Sequence, residues 1–163
     1  MRLTTTSRPG NVPELTYGWN AETRILAGRF PVPEQRGFTG MVEVTGDDGA
    51  IVVLDVRGGL LAGFEIVVWP GAELHPQLDP PDAEAALVGV VSHPEGVAGA
   101  LELETVIEAD ATPDRSTIHV LVGGEDAVRA VRVARDLIVE LDASDRLAGL
   151  WLTNVPPAPG AAA

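Results

Sequence analysis

Ile51-Val52-Val53-Leu54-Asp55 passes through Arg57-Gly58-Gly59 into Leu61-Ala62-Gly63-Phe64-Glu65-Ile66 and stops at Pro70. Ile138-Val139-Glu140-Leu141-Asp142 passes through a polar turn into Leu147-Ala148-Gly149-Leu150-Trp151-Leu152 and stops at Pro156. The second stretch is a copy of the first. Asp55 lies 87 residues from Asp142 and Gly63 lies 86 from Gly149, so the turns differ by one residue. Each copy is two short runs of Val, Ile and Leu around a turn, the composition of paired strands. A duplication of this kind predicts a body built from two similar halves.

The surrounding sequence extends each copy into a larger unit. Ahead of the first, Leu15, Tyr17 and Trp19 alternate with polar residues, and Arg24 to Phe30 and Met41 to Thr45 read as further strands. Asp47-Asp48-Gly49 is a hairpin turn, since Asp-Gly accommodates positive φ. Ahead of the second, Leu101 to Ile107 and Ser116 to Val122 alternate in the same way. Residues 125–136 are ambiguous. Glu125, Arg129, Arg132 and Asp136 fall at helical spacing, but the matching region of the first copy, Met41 to Thr45, favours a strand around Val128 to Val133.

These units divide the chain into a flexible leader at 1–12, a first β repeat at 13–70 and a Pro-rich junction at 71–100. A second repeat at 101–156 and a disordered tail at 157–163 complete it. In the junction, Asp82 could cap a short helix through Leu87, or Val88 to Val91 could form a strand; both remain open. Val52 and Leu54 share a face with the spacing of Val139 and Leu141, which makes that face the common core. The opposite face carries Ile51 and Val53 in the first copy but Ile138 and Glu140 in the second. The first sheet is therefore expected to be covered on both sides and the second to be more exposed. The expected fold is mostly β: two antiparallel meander repeats packed as a pseudo-twofold sandwich or barrel-like body, with at most one or two short helices.

Composition narrows the chemistry. The 163 residues contain no Cys, which removes disulfides and thiolate sites. All 11 basic residues are Arg, read as the coding bias of a GC-rich genome. The net charge of −13 argues against nucleic acid and against an anionic membrane surface. No apolar run reaches the ~20 residues of a spanning helix, and Met1 to Pro9 has no signal-like apolar core. The cytoplasm is the expected compartment.

The stretch from Leu137 to Leu150, with Leu54-Asp55 and Leu61 to Ile66, resembles a small bacterial domain family of unknown function. Its signature runs V-x-V-D-x-D-x-x-G-x-L-V-G-I-E-I, preceded by Y-D-x-x-x-D-x-L-Y-I. The upstream element is matched loosely at Trp19-Asn20 to Ile25 and at Asp110 to Ile118. The chain departs from the pattern at Trp151, where the family has Glu, and at Arg57-Gly58-Gly59, where it has an Asp-rich turn. The resemblance implies a tandem meander and brings no activity.

Candidate site residues are few. Asp55 and Asp142, the symmetric carboxylates, are either an acid–base pair or acceptors of turn amides. Glu65 sits in an apolar strand, where a carboxylate with a raised pKa could act as a base, or at a rim in water. His119 is either a cavity base or a satisfied structural residue. Tyr17, Trp19, Trp69 and Trp151 are candidates for a ligand pocket, with core packing as the plain alternative. His75, His93 and His119 lack metal-ligand spacing, and no phosphate loop or cofactor motif is present, so neither metal nor cofactor is expected. The leading expectation is a non-catalytic module for a small apolar molecule or a protein partner, with a homodimer formed through a free sheet edge. The alternative is a cofactor-independent cyclase- or isomerase-type β-barrel enzyme using Glu65 and His119 in a cavity between the halves.

Overall fold

A computed structural model describes residues 1–91 and 100–160, and among these there is no helix. The strands in chain order are β1 (Arg2–Ser7), β2 (Thr16–Trp19), β3 (Leu26–Arg29), β4 (Gly40–Gly46), β5 (Ile51–Arg57), β6 (Leu60–Val68) and β7 (Ala72–Leu74). They continue as β8 (Glu84–Val91), β9 (Ala100–Thr105), β10 (Ile107–Ala111), β11 (Ile118–Val122), β12 (Arg129–Ala134), β13 (Leu137–Leu141) and β14 (Leu147–Leu152). All fourteen belong to one mixed, strongly curled, half-barrel sheet. His93 and residues 161–163 lie outside the described residues.

The duplication is a five-strand unit. In the first, hairpin β2–β3 is followed by meander β4–β5–β6, and β6 folds back onto β3. In the second, hairpin β10–β11 is followed by meander β12–β13–β14, and β14 folds back onto β11. Within both units every pairing is antiparallel. The parallel pairings lie at the seams: β9 joins β4, β8 joins β12 and β7 joins β10. The strand expected around Val128 to Val133 is β12, held by its ladder to β13.

The turns follow from local chemistry. Gly49 takes φ 89°, and Asp48 Oδ1 accepts the Ala50 N–H at 3.0 Å. Gly58 and Gly59 take φ 57° and 79°, as a two-residue hairpin turn requires. In the second unit this turn is replaced by a loop wound around Asp142. Its carboxylate accepts from Ser144 N, Arg146 N and Arg146 Nε at 2.8, 3.0 and 2.9 Å.

Of the two readings open in the junction, the structure holds the strand, as β8 over residues 84–91. Two expectations are corrected. Arg2–Ser7 is not a flexible leader: it pairs with β8 over six residues, and Leu3 is buried. The second copy is the more buried one, since every residue of β13 and β14 is buried while β5 alternates. A charged side chain at Glu140 suggested an exposed face, but Glu140 is buried because it finds partners there.

The register also revises the alignment of the repeats. Gly63 opposes Asp55, whereas Gly149 opposes Glu140. The structural counterpart of Asp55 is thus Glu140, and Asp142 takes the place of Arg57. A shift of two residues preserves faces. Val42, Val44, Val52, Leu54 and Val56 therefore still join Val139, Leu141, Leu150 and Leu152 in one continuous core, as the alternation predicts.

Candidate functional site

Two regions gather chemistry: a groove where the units meet, and the outer face of the second unit.

The groove has a volume of about 710 Å³ and is lined by Trp19, Arg24, Trp69, Pro113, Arg115, Pro156 and neighbouring residues. Its walls come from equivalent places in the two units, the β2–β3 turn and the β10–β11 turn. Trp19 and Trp69 stack with centroids 5.7 Å apart and planes 21° from parallel. Each indole N–H is committed to a backbone carbonyl, Trp19 Nε1 to Pro156 O at 2.9 Å and Trp69 Nε1 to Arg24 O at 3.1 Å. The rings are thereby fixed in place and present apolar surface. Arg24 and Arg115 have φ of 62° and 57°, a left-handed conformation uncommon outside Gly, Asn and Asp. Both guanidinium groups are exposed and, among the described residues, neither takes part in an ion pair. Asp114, which also lines the groove, is turned to local work: its Oδ1 accepts from Thr112 Oγ1, Ser116 N and Ser116 Oγ at 2.7, 3.1 and 2.9 Å. The Ser116 amide, with the two hydroxyls, holds its pKa below the usual value.

Tyr17 lies deeper, edge-on to Phe64 at 6.5 Å, and donates its hydroxyl to Thr153 O at 2.8 Å. Burial, and then the charge of Asp136, push its pKa well above the ordinary value. Of the four expected pocket aromatics, the structure thus brings Trp19 and Trp69 to the groove. Tyr17 ties the first unit to the second, and Trp151 is elsewhere.

Trp151 belongs to the outer face of the second unit. It is 7% exposed, stacks on His119 with centroids 4.0 Å apart, and donates Nε1–H to Glu140 Oε1 at 2.9 Å. His119 Nε2 lies 2.7 Å from Glu140 Oε2. Burial alone would raise the pKa of Glu140, but hydrogen bonds from His119 and Trp151, and the charge of a protonated His119, outweigh it and lower the value. Gly149 makes room for this cluster. A Cβ there would stand 2.5 Å from Glu140 Oε2 and 3.0 Å from His119 Nε2. Gly63, its counterpart, serves another close approach, since a Cβ would stand 2.6 Å from Gly28 O.

Asp110 is the cross-strand neighbour of His119 on the same face, and Glu73 is the neighbour of Asp110 through the parallel β7–β10 pairing. His75 follows β7, with Nε2 2.9 Å from Asp110 Oδ1 and 3.9 Å from Glu73 Oε1. Spacing along the chain gave no hint of this group, because it is assembled by a strand pairing between positions 35 and more residues apart.

Glu65 sits on the outer face of the first unit. Its carboxylate meets Arg29 at 2.9 Å, with the side chain 34% exposed. Along the ladder, β14, β13, β12 and β8 lie between the strands of His119 and Glu65, and each residue has its own partner. Asp55 faces Arg57 at 3.6 Å and is not paired with Asp142, which is absorbed by its turn. No protein family matches the chain, and no curated protein does.

Proposed function

We propose that the protein is a non-catalytic binding module whose ligand is a small apolar molecule with an anionic end, held in the groove between the repeats. The observation that carries this reading is the convergence of the two equivalent hairpin turns on one apolar groove. Each contributes an exposed arginine beside the fixed Trp19–Trp69 stack. A groove of about 710 Å³ is within the usual range for small-ligand sites. Two guanidinium groups at its rim favour an anion although the chain carries −13 overall. The shared strand order of the units supports reading the chain as a fused pair of the unknown-function domains it resembles. The enzyme alternative gains less, since Glu65 is engaged by Arg29 and His119 by Glu140 and Trp151.

Anilinonaphthalene sulfonate, apolar and anionic, is the probe. It should bind saturably to the folded protein, with at least tenfold weakening (about 1.4 kcal/mol) in Trp69→Ala and in Arg24→Gln/Arg115→Gln. Trp151→Phe should leave the affinity unchanged. Equal affinity in all variants would refute the assignment. A sedimentation profile that shows a dimer displacing the probe would move the reading to a protein partner.

A further inference from the structure

We propose that Glu73, His75 and Asp110 form a site for a divalent transition-metal ion of the zinc type. The group offers one imidazole nitrogen and two carboxylates from β7, the residue after it and β10. One ligand atom from each lies within 4.8 Å of the others. Around a tetrahedral ion with bonds of about 2.1 Å, donors stand about 3.4 Å apart. The His75–Asp110 and His75–Glu73 separations of 2.9 and 3.9 Å bracket that distance.

The three donors differ in freedom in a useful way. Asp110 is held within the β10–β11 ladder. The His75 backbone N–H donates to Ala111 O at 2.9 Å, which anchors the imidazole to the next residue of the same strand. Glu73 is 78% exposed at its side chain and is free to close the last fraction of an ångström. Two carboxylates and a neutral imidazole carry −2, which a divalent ion cancels, in a protein whose overall charge of −13 concentrates cations at its surface. Three protein donors leave a fourth position on the solvent side for water or an exogenous ligand. The imidazole nitrogen selects zinc, cobalt or nickel over calcium and magnesium, which prefer oxygen throughout.

Calorimetric titration of the metal-free full chain with Zn²⁺, and separately with Ca²⁺, tests the site. One Zn²⁺ per chain is expected, with at least tenfold loss of affinity in His75→Gln and in Asp110→Asn, and none in His119→Gln. Ca²⁺ should bind at least tenfold more weakly than Zn²⁺. Thermal melts of His75→Gln and Asp110→Asn without metal should lie close to the wild type, because both side chains are only partly buried and neither belongs to the core. Co²⁺ substitution should give the visible absorption of a four-coordinate ion, lost in His75→Gln. Absence of Zn²⁺ binding at 100-fold excess, retention of affinity in both ligand variants, or loss in His119→Gln instead would overturn the proposal.

Discussion

Tyr17 gives this protein an unusually clean alkaline titration. The chain has one Tyr, no Cys and no Lys, so above the range of the terminal amine the phenol is the sole side chain with an ordinary pKa below that of Arg. In the fold its hydroxyl donates to Thr153 O at 2.8 Å, its ring meets Phe64, and burial followed by the charge of Asp136 holds it protonated well past its usual range. A group whose folded pKa is raised contributes stability that is complete below the unfolded pKa and is lost as pH rises. Here the unfolded chain releases its proton near pH 10 while the native one retains it. Stability should therefore fall by at most about 1.4 kcal/mol per pH unit above pH 10. That is about 2 kcal/mol at pH 11.5, an upper limit because the ring is partly open to solvent. Urea unfolding between pH 9 and 11.5 should show this slope in the wild type, and Tyr17→Phe should be nearly flat. Tyrosinate absorbance should rise together with unfolding. A phenolate appearing near pH 10 in a protein that stays folded, or an unchanged slope in Tyr17→Phe, would refute the reasoning.

Glu140→Ala strands the buried Trp151 N–H and the imidazole of His119, and should cost about 3 kcal/mol, or a fall in melting temperature of about 6–12 °C. Glu65→Ala, which removes an exposed ion pair, should cost under about 1 kcal/mol in the same melts. Because the folded pKa of Glu140 is lowered, its contribution is present above the unfolded value of 4.5 and is lost as pH falls through the folded one; the acid limb of the stability curve should be shallower in Glu140→Gln. Gly28→Ala would place a Cβ 2.3 Å from the ring of buried Phe64, an overpacking of about 1–3 kcal/mol that Phe64→Leu should partly relieve in denaturant titrations. Leu3→Ala should cost about 2–4 kcal/mol by the same measurement, whereas removing a residue from a free leader would cost nothing.

The core of this fold was legible because a period of two does not depend on knowing the partner strand. Val52, Leu54, Val139 and Leu141 announce a shared interior even when the two copies are aligned two residues out of register. What escaped was everything set by long-range pairing. Arg2–Ser7 looks unstructured because Arg-Leu-Thr-Thr-Thr-Ser buries little besides Leu3; it is a strand because β8 offers it a complete edge. The metal-ligand group escaped for the same reason, since Glu73 and His75 meet Asp110 through a three-residue parallel pairing that periodicity cannot reveal. The groove was half legible: Trp19 and Trp69 stood out as large aromatics, but Arg24 and Arg115 became notable through their left-handed turns.

Divergence between the copies follows one physical rule: the inner face stayed apolar while the outer face was free to change. Leu150 and Leu152 stand where Phe64 and Ile66 do against the core, different in shape but apolar in both copies. On the outer face the counterparts are Glu65 and Trp151, Ala27 and His119, Asp55 and Glu140, as the strand registers place them. The first copy keeps exposed ion pairs there, which contribute little to stability. In the second copy an aromatic ring covers the carboxylate, and His119 and Trp151 satisfy it once covered. This is why the copy with the more polar sequence is the more deeply buried. A glycine is kept in both, for different reasons: at Gly63 it admits the backbone of β3, and at Gly149 it admits the Glu140 carboxylate and His119. The repeated Leu-Ala-Gly thus marks a point of close approach, and it is the neighbouring residues that decide what approaches.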